Sequence, residues 1–305
     1  MIPKLSIVIP TYKRTHSLER LLDCLLKQDN KDLEIIIVDQ NPQGFFTPAF
    51  FIKLQQFVYV YQNRPNTSLA RNNGFKASTA PYILFLDDDL IPEPYFCSKG
   101  ISVFNDFPLI RCFVPLVYPE NEKEIWISNI KKKIISEYPG NKLIYSITDF
   151  ISAAVFFERT YFGLSGGFDI HLFAFAKASE DVELFLRMQQ RKLVLWFVSF
   201  LEIFHDETTS GGCEMRTAGY WITRKKNARA MAFRYRIHNK VRGKLSFTNI
   251  IQLSQSLIFN KKVLNSGICN MFKEIRLLSN SIKESRVFYN EYKNLYSKEF
   301  VNFLT

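Results

Sequence analysis

The chain has 305 residues, 47% of them hydrophobic, which excludes a disordered chain and leaves room for a full α/β core in one large domain with an appendage. Its longest apolar run, residues 193–204, is interrupted by Glu202 and falls short of the ~20 residues a membrane-spanning helix needs, so no transmembrane segment is expected. The net charge of +11 is uneven, since residues 211–305 hold 18 Lys/Arg against 5 Asp/Glu while the rest hold 22 against 24, so the basic end is suited to an anionic surface or ligand.

Met1-Ile-Pro-Lys-Leu5 carries no cleavage pattern and leads straight into the apolar run Ser6-Ile-Val-Ile-Pro10, so a cytoplasmic chain opening on a buried strand is expected. Leu18, Leu21, Leu22 and Leu25 then recur at helical spacing behind the capping candidates Thr15 and Ser17. Strands are predicted at residues 33–38, ending in Asp39, at 57–61, and at 82–86, ending in Asp87-Asp-Asp89. A helix is predicted over residues 68–77. Further on, strands are expected near 110–117, 152–157 and 193–204, with a Gly166-Gly167 turn and a helix near 180–191 between the last two. From Thr208 onward no strand signal remains, and residues 220–238 and 270–296 read as basic helices. Five widely spaced cysteines without a C-x-x-C pair imply reduced, mostly buried thiols.

Strands that are apolar at every position belong to a mostly parallel sheet covered on both faces, and in such sheets ligands bind beyond the carboxyl ends of the strands. Thr11, Arg14, Asp39 and the three aspartates all follow strand ends. Adjacent carboxylates repel unless a cation or donors neutralise them; a divalent metal does so, although a solvated acidic loop has the same composition. Arg71 lies in the first turns of the 68–77 helix, where a guanidinium suits phosphate, or is simply an exposed residue of an amphipathic helix. Glu180, Asp181 and Glu183 in Ala178-Ser-Glu-Asp-Val-Glu183 complement the dipole of a helix start, and a carboxylate there can also act as a base. His205-Asp206 follows the last strand; its imidazole is either structural or completes a metal shell. Neither G-x-x-x-x-G-K-[ST] nor G-x-G-x-x-G is present, which weakens kinase-like and dinucleotide-binding readings.

Taken in order, Ser6-Ile-Val-Ile-Pro-Thr-Tyr12, Ile37-Val-Asp39, Ala70-Arg-Asn72, Leu86-Asp-Asp-Asp89, Gly166-Gly-Phe-Asp169 and Glu180-Asp181 closely resemble the family 2 glycosyltransferases of the GT-A fold, over residues 4–206. The resemblance implies that Thr11, Tyr12, Arg14 and Asp39 hold the nucleoside and that Arg71 contacts the nucleotide portion of the donor. It implies a D-x-D element in Asp87, Asp88 and Asp89 that binds ribose and a Mn²⁺ or Mg²⁺ ion, with Asp89 as metal ligand and His205 beside it. Asp181 inherits the role of catalytic base, and Gly167, Phe168, Asp169 and Glu180 that of shaping the donor-sugar and acceptor site. The Q-x-x-R-W element of processive synthases is absent, since Gln189-Gln-Arg-Lys192 does not match it, which favours transfer of one sugar at a time.

The resemblance therefore implies an inverting transfer from a nucleotide-diphosphate-sugar to a saccharide or lipid-linked saccharide acceptor, in the setting of bacterial surface polysaccharide. The expected organisation is a catalytic domain over residues 1–210, divided near 115 into a nucleotide-binding half and an acceptor half, and a helical basic region over 211–305 that meets an anionic membrane surface at the inner face of the cell membrane. Arg224, Lys225, Lys226, Arg229, Arg234 and Arg236 beside Tyr220, Trp221, Phe233 and Tyr235 would suit an interfacial helix. A sugar nucleotidyltransferase is the nearest alternative, but Pro10-Thr-Tyr-Lys-Arg14 is not its Gly-rich loop. A non-catalytic membrane or nucleic-acid adaptor would leave Asp39, the aspartate cluster and Asp181 unexplained, and no nucleic-acid-binding motif is present.

Overall fold

The structure is a computed structural model that describes residues 3–119, 122–148, 153–177, 179–206, 220–238, 243–257, 268–296, 298 and 301–304. Ser152, Ala178 and Cys213 lie outside the described residues, as do the side chains of Tyr220, Trp221 and Cys269.

Four apolar runs make one half of the sheet. β1 (Leu5–Thr11), β2 (Leu33–Asp39), β3 (Val58–Tyr61) and β4 (Tyr82–Leu86) lie in the order β3-β2-β1-β4, all parallel. Every residue of β1 is buried, which is why its sequence shows no alternation. Helix α1 (Thr15–Leu26) connects β1 to β2 and buries Leu18, Leu21, Leu22 and Leu25. Neither expected cap is used. Arg14 takes the cap position without a side-chain bond, which leaves Thr15 and Ser17 already inside the first turn. α2 (Pro48–Leu54) precedes β3, and α3 (Thr67–Ala77) follows it, capped by Asn66, whose side chain accepts from Leu69 N.

Past β4 the sheet becomes mixed. β5 (Leu90–Ile91), α4 (Phe96–Asp106), β6 (Cys112–Pro119), α5 (Lys123–Lys131), the hairpin β7 (Ile134–Tyr138) and β8 (Asn141–Ile147), and β9 (Ala154–Glu158) follow in chain order. α6 (Arg159–Ser165), α7 (Ile170–Ala176), α8 (Glu180–Gln190) and β10 (Leu195–His205) complete this part. β9 runs antiparallel between β4 and β6, β10 is parallel to β6, and the β7-β8 hairpin extends the edge. The mostly parallel arrangement expected from apolar runs therefore holds for β1 to β4; beyond them, antiparallel neighbours need no crossover helix. The main core lies on this sheet, where Phe85, Phe113, Phe156, Phe157, Phe162 and Phe168 are among the largest fully buried side chains.

Beyond Asp206 the described regular elements are helices: α9 (Tyr220–His238), α10 (Phe247–Leu257) and α11 (Ile268–Tyr296). None is long and apolar enough to cross a membrane among the described residues. α9 is packed on its neighbours. It packs between α7 and α11, burying Phe233, while Arg224 and Arg229 pair with Glu274 and Glu284 of α11 and Arg236 donates to the Gly243 and Ile282 carbonyls. α11 thus supplies carboxylates to two of the basic side chains of α9. Cys97 and Cys112 are buried free thiols, and Cys24 is half-buried and free.

Candidate active site

The turn after β4 carries Asp87, Asp88 and Asp89, and three buried or half-buried carboxylates side by side require counter-charge. The loop after β1 supplies some of it. Arg14 donates to Asp88 Oδ1 at 2.9 Å and to Asp89 Oδ2 at 2.8 Å, and the Thr11 hydroxyl donates to Asp88 Oδ2 at 2.7 Å. Even so, burial pushes the Asp88 carboxyl up to about 7 against the pull of Arg14. Arg71, fully buried on α3, donates to Asp87 Oδ1 at 2.8 Å and to Glu180 Oε1 at 3.2 Å. One guanidinium thus joins the acidic strand end to the acidic first turn of α8, with Arg71 and Glu180 109 positions apart in sequence.

His205 meets the same cluster because of strand pairing. β5 lies antiparallel to the end of β10 with Leu90 opposite His205, and Asp206 N donates to the Asp89 carbonyl at 3.0 Å. This register sets His205 Nε2 3.2 Å from Asp89 Oδ1. A register shift in β10 between Val198 and Glu202 precedes that pairing. Arg20 on α1 holds Asp206 in turn.

Among the described residues no group of three or more His, Cys, Asp or Glu side chains is placed to hold a metal. The convergent pair Asp89 and His205 nevertheless fits a divalent ion of the Mg²⁺ or Mn²⁺ kind, which takes one or two protein ligands and completes its shell with substrate phosphates and water. Arg14 and Arg71 place two cations beside this pair, each engaged with carboxylates of the cluster and at most 9% exposed.

Asp181 is half-buried in the first turn of α8; its Oδ1 accepts from Val182 N, and its charge reaches Arg71. The loop that presents it is strained, with Lys177 and Ser179 at φ 58° and 66°, as is Lys13 beside Arg14 at 57°. Non-glycine residues in this region cost on the order of 1–3 kcal/mol each and recur at functional sites. Three of the four such residues among those described lie in loops that carry the site.

The other expected site residues fall differently. Asp39 is buried and both its oxygens are engaged, Oδ1 by Asn41 N and Nδ2, Oδ2 by the Tyr59 hydroxyl, so its carboxylate shapes the loop after β2. Tyr12 is half-buried with Lys13 Nζ 5.2 Å from its ring centre. Phe168 and Asp169, expected to shape the donor-sugar and acceptor site, have no exposed surface. Phe168 belongs to the core and carries the Arg71 guanidinium 5.0 Å above its ring. Asp169 caps α7 through His171 N and Leu172 N and accepts the Tyr296 hydroxyl on both oxygens. Gly167 is buried beneath Leu304. Glu180, by contrast, faces Arg71 and keeps 13% of its side chain exposed.

Sequence reasoning missed the amides that organise these loops. Gln40 Oε1 accepts from Asn66 N at 2.8 Å, and Asn72 holds Phe168 through both its N–H and its carbonyl. The signal available was their polarity directly beside strand ends and on a buried helix face.

The sequence model of the family described as Glycosyl transferase family 2 matches residues 6–163. The chain is 36% identical over 97 residues to the poly(ribitol-phosphate) beta-N-acetylglucosaminyltransferase TarP of Staphylococcus aureus (strain N315), a match that covers 30% of each chain. It is 35% identical over 96 residues to a GalNAc(5)-diNAcBac-PP-undecaprenol beta-1,3-glucosyltransferase of Campylobacter jejuni, covering 29% of this chain and 30% of that one. The chain thus spans about a third of the length of these relatives. In fold it resembles S. aureus TarS 1–349 in complex with UDP-GlcNAc, with TM-score 0.60, 13% identity and coverage of 95% of this chain and 92% of that one. It also resembles the mannosyltransferase PcManGT of Pyrobaculum calidifontis in complex with GDP-Man and Mn²⁺, with TM-score 0.56, 14% identity and coverage of 96% and 76%.

Proposed function

From the premise that this chain belongs to the family 2 glycosyltransferases, we propose that it transfers one sugar from a nucleotide-diphosphate donor to an acceptor hydroxyl, with inversion at the anomeric carbon. The observation that carries this reading is the Arg71 bridge, which brings Asp87 and Glu180, and with Glu180 the half-buried Asp181, to one crevice at the carboxyl ends of the strands.

In this mechanism Asp181 removes the acceptor proton as the hydroxyl attacks the anomeric carbon, and a single base suffices for a single displacement. Arg71 and Arg14 attract the diphosphate, Thr11 and Arg14 keep Asp88 oriented, and the loop built on Asp39 and Tyr12 receives the nucleoside. A divalent ion held by Asp89 and His205 would offset charge on the leaving diphosphate. Glu180 would hold Arg71 against the strand end while Asp181 works. The chemistry belongs to residues 1–210, divided near 115 between donor and acceptor halves, and α9 packs on α7 and α8 of the second half.

The test is twofold. UDP-GlcNAc and GDP-mannose are screened for Mn²⁺-dependent thermal stabilisation, since a ligand of the native state raises the melting temperature. The anomeric configuration of the product is then compared with that of the donor; retention would overturn the single displacement.

A lipid-linked acceptor at the inner face of the membrane fits the charge of the C-terminal helices and the exposure of Phe247, Ile250 and Ile251 along one side of α10. Sedimentation with anionic and neutral liposomes at low and high salt checks it. Salt-sensitive binding to anionic vesicles alone is expected, and equal partition to both would reject it.

A further inference from the structure

Gly166 and Gly167 both adopt left-handed φ, 80° and 76°, where a side chain is strained. They are also walled in by chain from the other end of the molecule. A Cβ on Gly166 would lie 2.5 Å from the Val301 carbonyl oxygen, and one on Gly167 2.6 Å from Leu304 Cδ2. The turn is therefore shaped to receive residues 301–304.

Its hydrogen bonds complete the seat. Phe303 N donates to the Gly166 carbonyl at 2.8 Å, Arg191 donates to the Val301 carbonyl at 2.5 Å, and Asn72 Nδ2 donates to the Phe303 carbonyl at 3.3 Å. The Phe303 ring lies 5.0 Å from the Arg187 guanidinium, and the Tyr296 hydroxyl meets Asp169 at 2.7 and 2.9 Å. Arg187 is the link to the chemistry. It donates to the Ser165 and Gly167 carbonyls and pairs with Glu183 at 2.7 Å, and both it and Glu183 belong to α8, whose first turn holds Asp181. His238 of α9 approaches Glu183 from the other side at 3.4 Å.

We propose that residues 301–304 and Tyr296 form a strap that positions α8, and with it the Asp181 carboxylate, for sugar transfer; this rests on the reading of Asp181 as base. Tyr296 and Phe303 are positioning residues: they act through Asp169, Arg187 and the Gly166-Gly167 turn. The strand ends of β1, β2 and β4, which with Arg71 hold the donor in that reading, make no part of the strap, which meets α3 through Asn72. Loss of the strap should therefore lower turnover and spare donor affinity.

The experiment uses the full chain, Tyr296→Phe, Phe303→Ala, Phe303→Leu and a deletion of residues 301–305. Amide hydrogen exchange, which needs no ligand, should rise in α8 and in residues 166–169 of the deletion variant while β1, β2 and β4 keep wild-type protection. Tyr296→Phe, which removes one hydroxyl, should do the same to a smaller degree and guards against a deletion that fails to fold. With UDP-GlcNAc or GDP-mannose as probe, whichever the wild type binds, kcat should fall roughly 10- to 100-fold in Phe303→Ala. Donor Kd should stay within about twofold, and Phe303→Leu should recover most of the turnover. Unchanged exchange in α8, a rise spread evenly over the molecule, or faster turnover after deletion would overturn the proposal. A wild-type chain that binds neither nucleotide would instead count against the function proposed above, and the exchange measurement would still decide the strap.

Discussion

The acidic strand end at Asp87, Asp88 and Asp89 and the buried carboxylates Asp169 and Glu183 both gather around arginine, yet they are completed in different ways. Asp169 and Glu183 are sealed, with two backbone amides and the Tyr296 hydroxyl on the first and a two-pronged Arg187 on the second. Burial raises the Glu183 carboxyl, but the charge and hydrogen bonds of Arg187 outweigh it and hold it near 2, so it stays ionised. Burial drives Asp88 at the strand end and Asp169 alike up to about 7, so exposure is what differs: Asp87 keeps 30% of its side chain open, whereas Asp169 and Glu183 are closed off. Two carboxylate groups of similar composition thus differ in whether one of their members stays open to solvent. The sealed one holds structure together, and the unsealed one has capacity left for a ligand.

Substitutions at each group sharpen that contrast. The largest effect is expected for Arg187→Met, which leaves Glu183 buried without its partner and frees the carbonyls of Ser165 and Gly167; chemical denaturation should show a loss of about 3–5 kcal/mol. Asp181→Asn should leave the urea midpoint and donor binding nearly unchanged while transfer falls ~10²-fold or more, measured as kcat at saturating donor. Stability loss in place of turnover loss would move Asp181 into the structural class. Asp89→Ala should remove the Mn²⁺ dependence of donor binding in calorimetry with the fold intact, and unchanged donor affinity would sink the metal assignment. The smallest effect is expected for His205→Ala, with metal affinity lower by about tenfold; a wild-type metal response there would make His205 a purely structural partner of Asp89.

Much of the fold was legible because the signals are local. The apolar runs of β1, β2 and β4 and the leucine spacing of α1 depend on neighbours a few positions away, and all four elements lie where they were expected. The mixed half of the sheet was less legible, since the direction of β9 or β8 depends on pairing that its own residues do not encode. The Gly-Gly-Phe-Asp string was recognisable as a motif but not as a seat for the chain's own residues 301–304, because its partners lie more than a hundred positions away.

The sequence by itself determined that a polar loop follows each of several buried strands, that carboxylates cluster at one of those ends, and that the chain resembles family 2 glycosyltransferases. Only the tertiary structure decided which carboxylates meet which cations. Arg71 reaches Glu180 because α7 packs on both α3 and α8, His205 reaches Asp89 through the β5-β10 register across 116 positions, and Tyr296 reaches Asp169 across 127. Periodicity is written into consecutive residues, whereas an ion pair between distant segments exists only once topology and register have brought them within a few ångströms, the range at which a charge or hydrogen bond outweighs its desolvation.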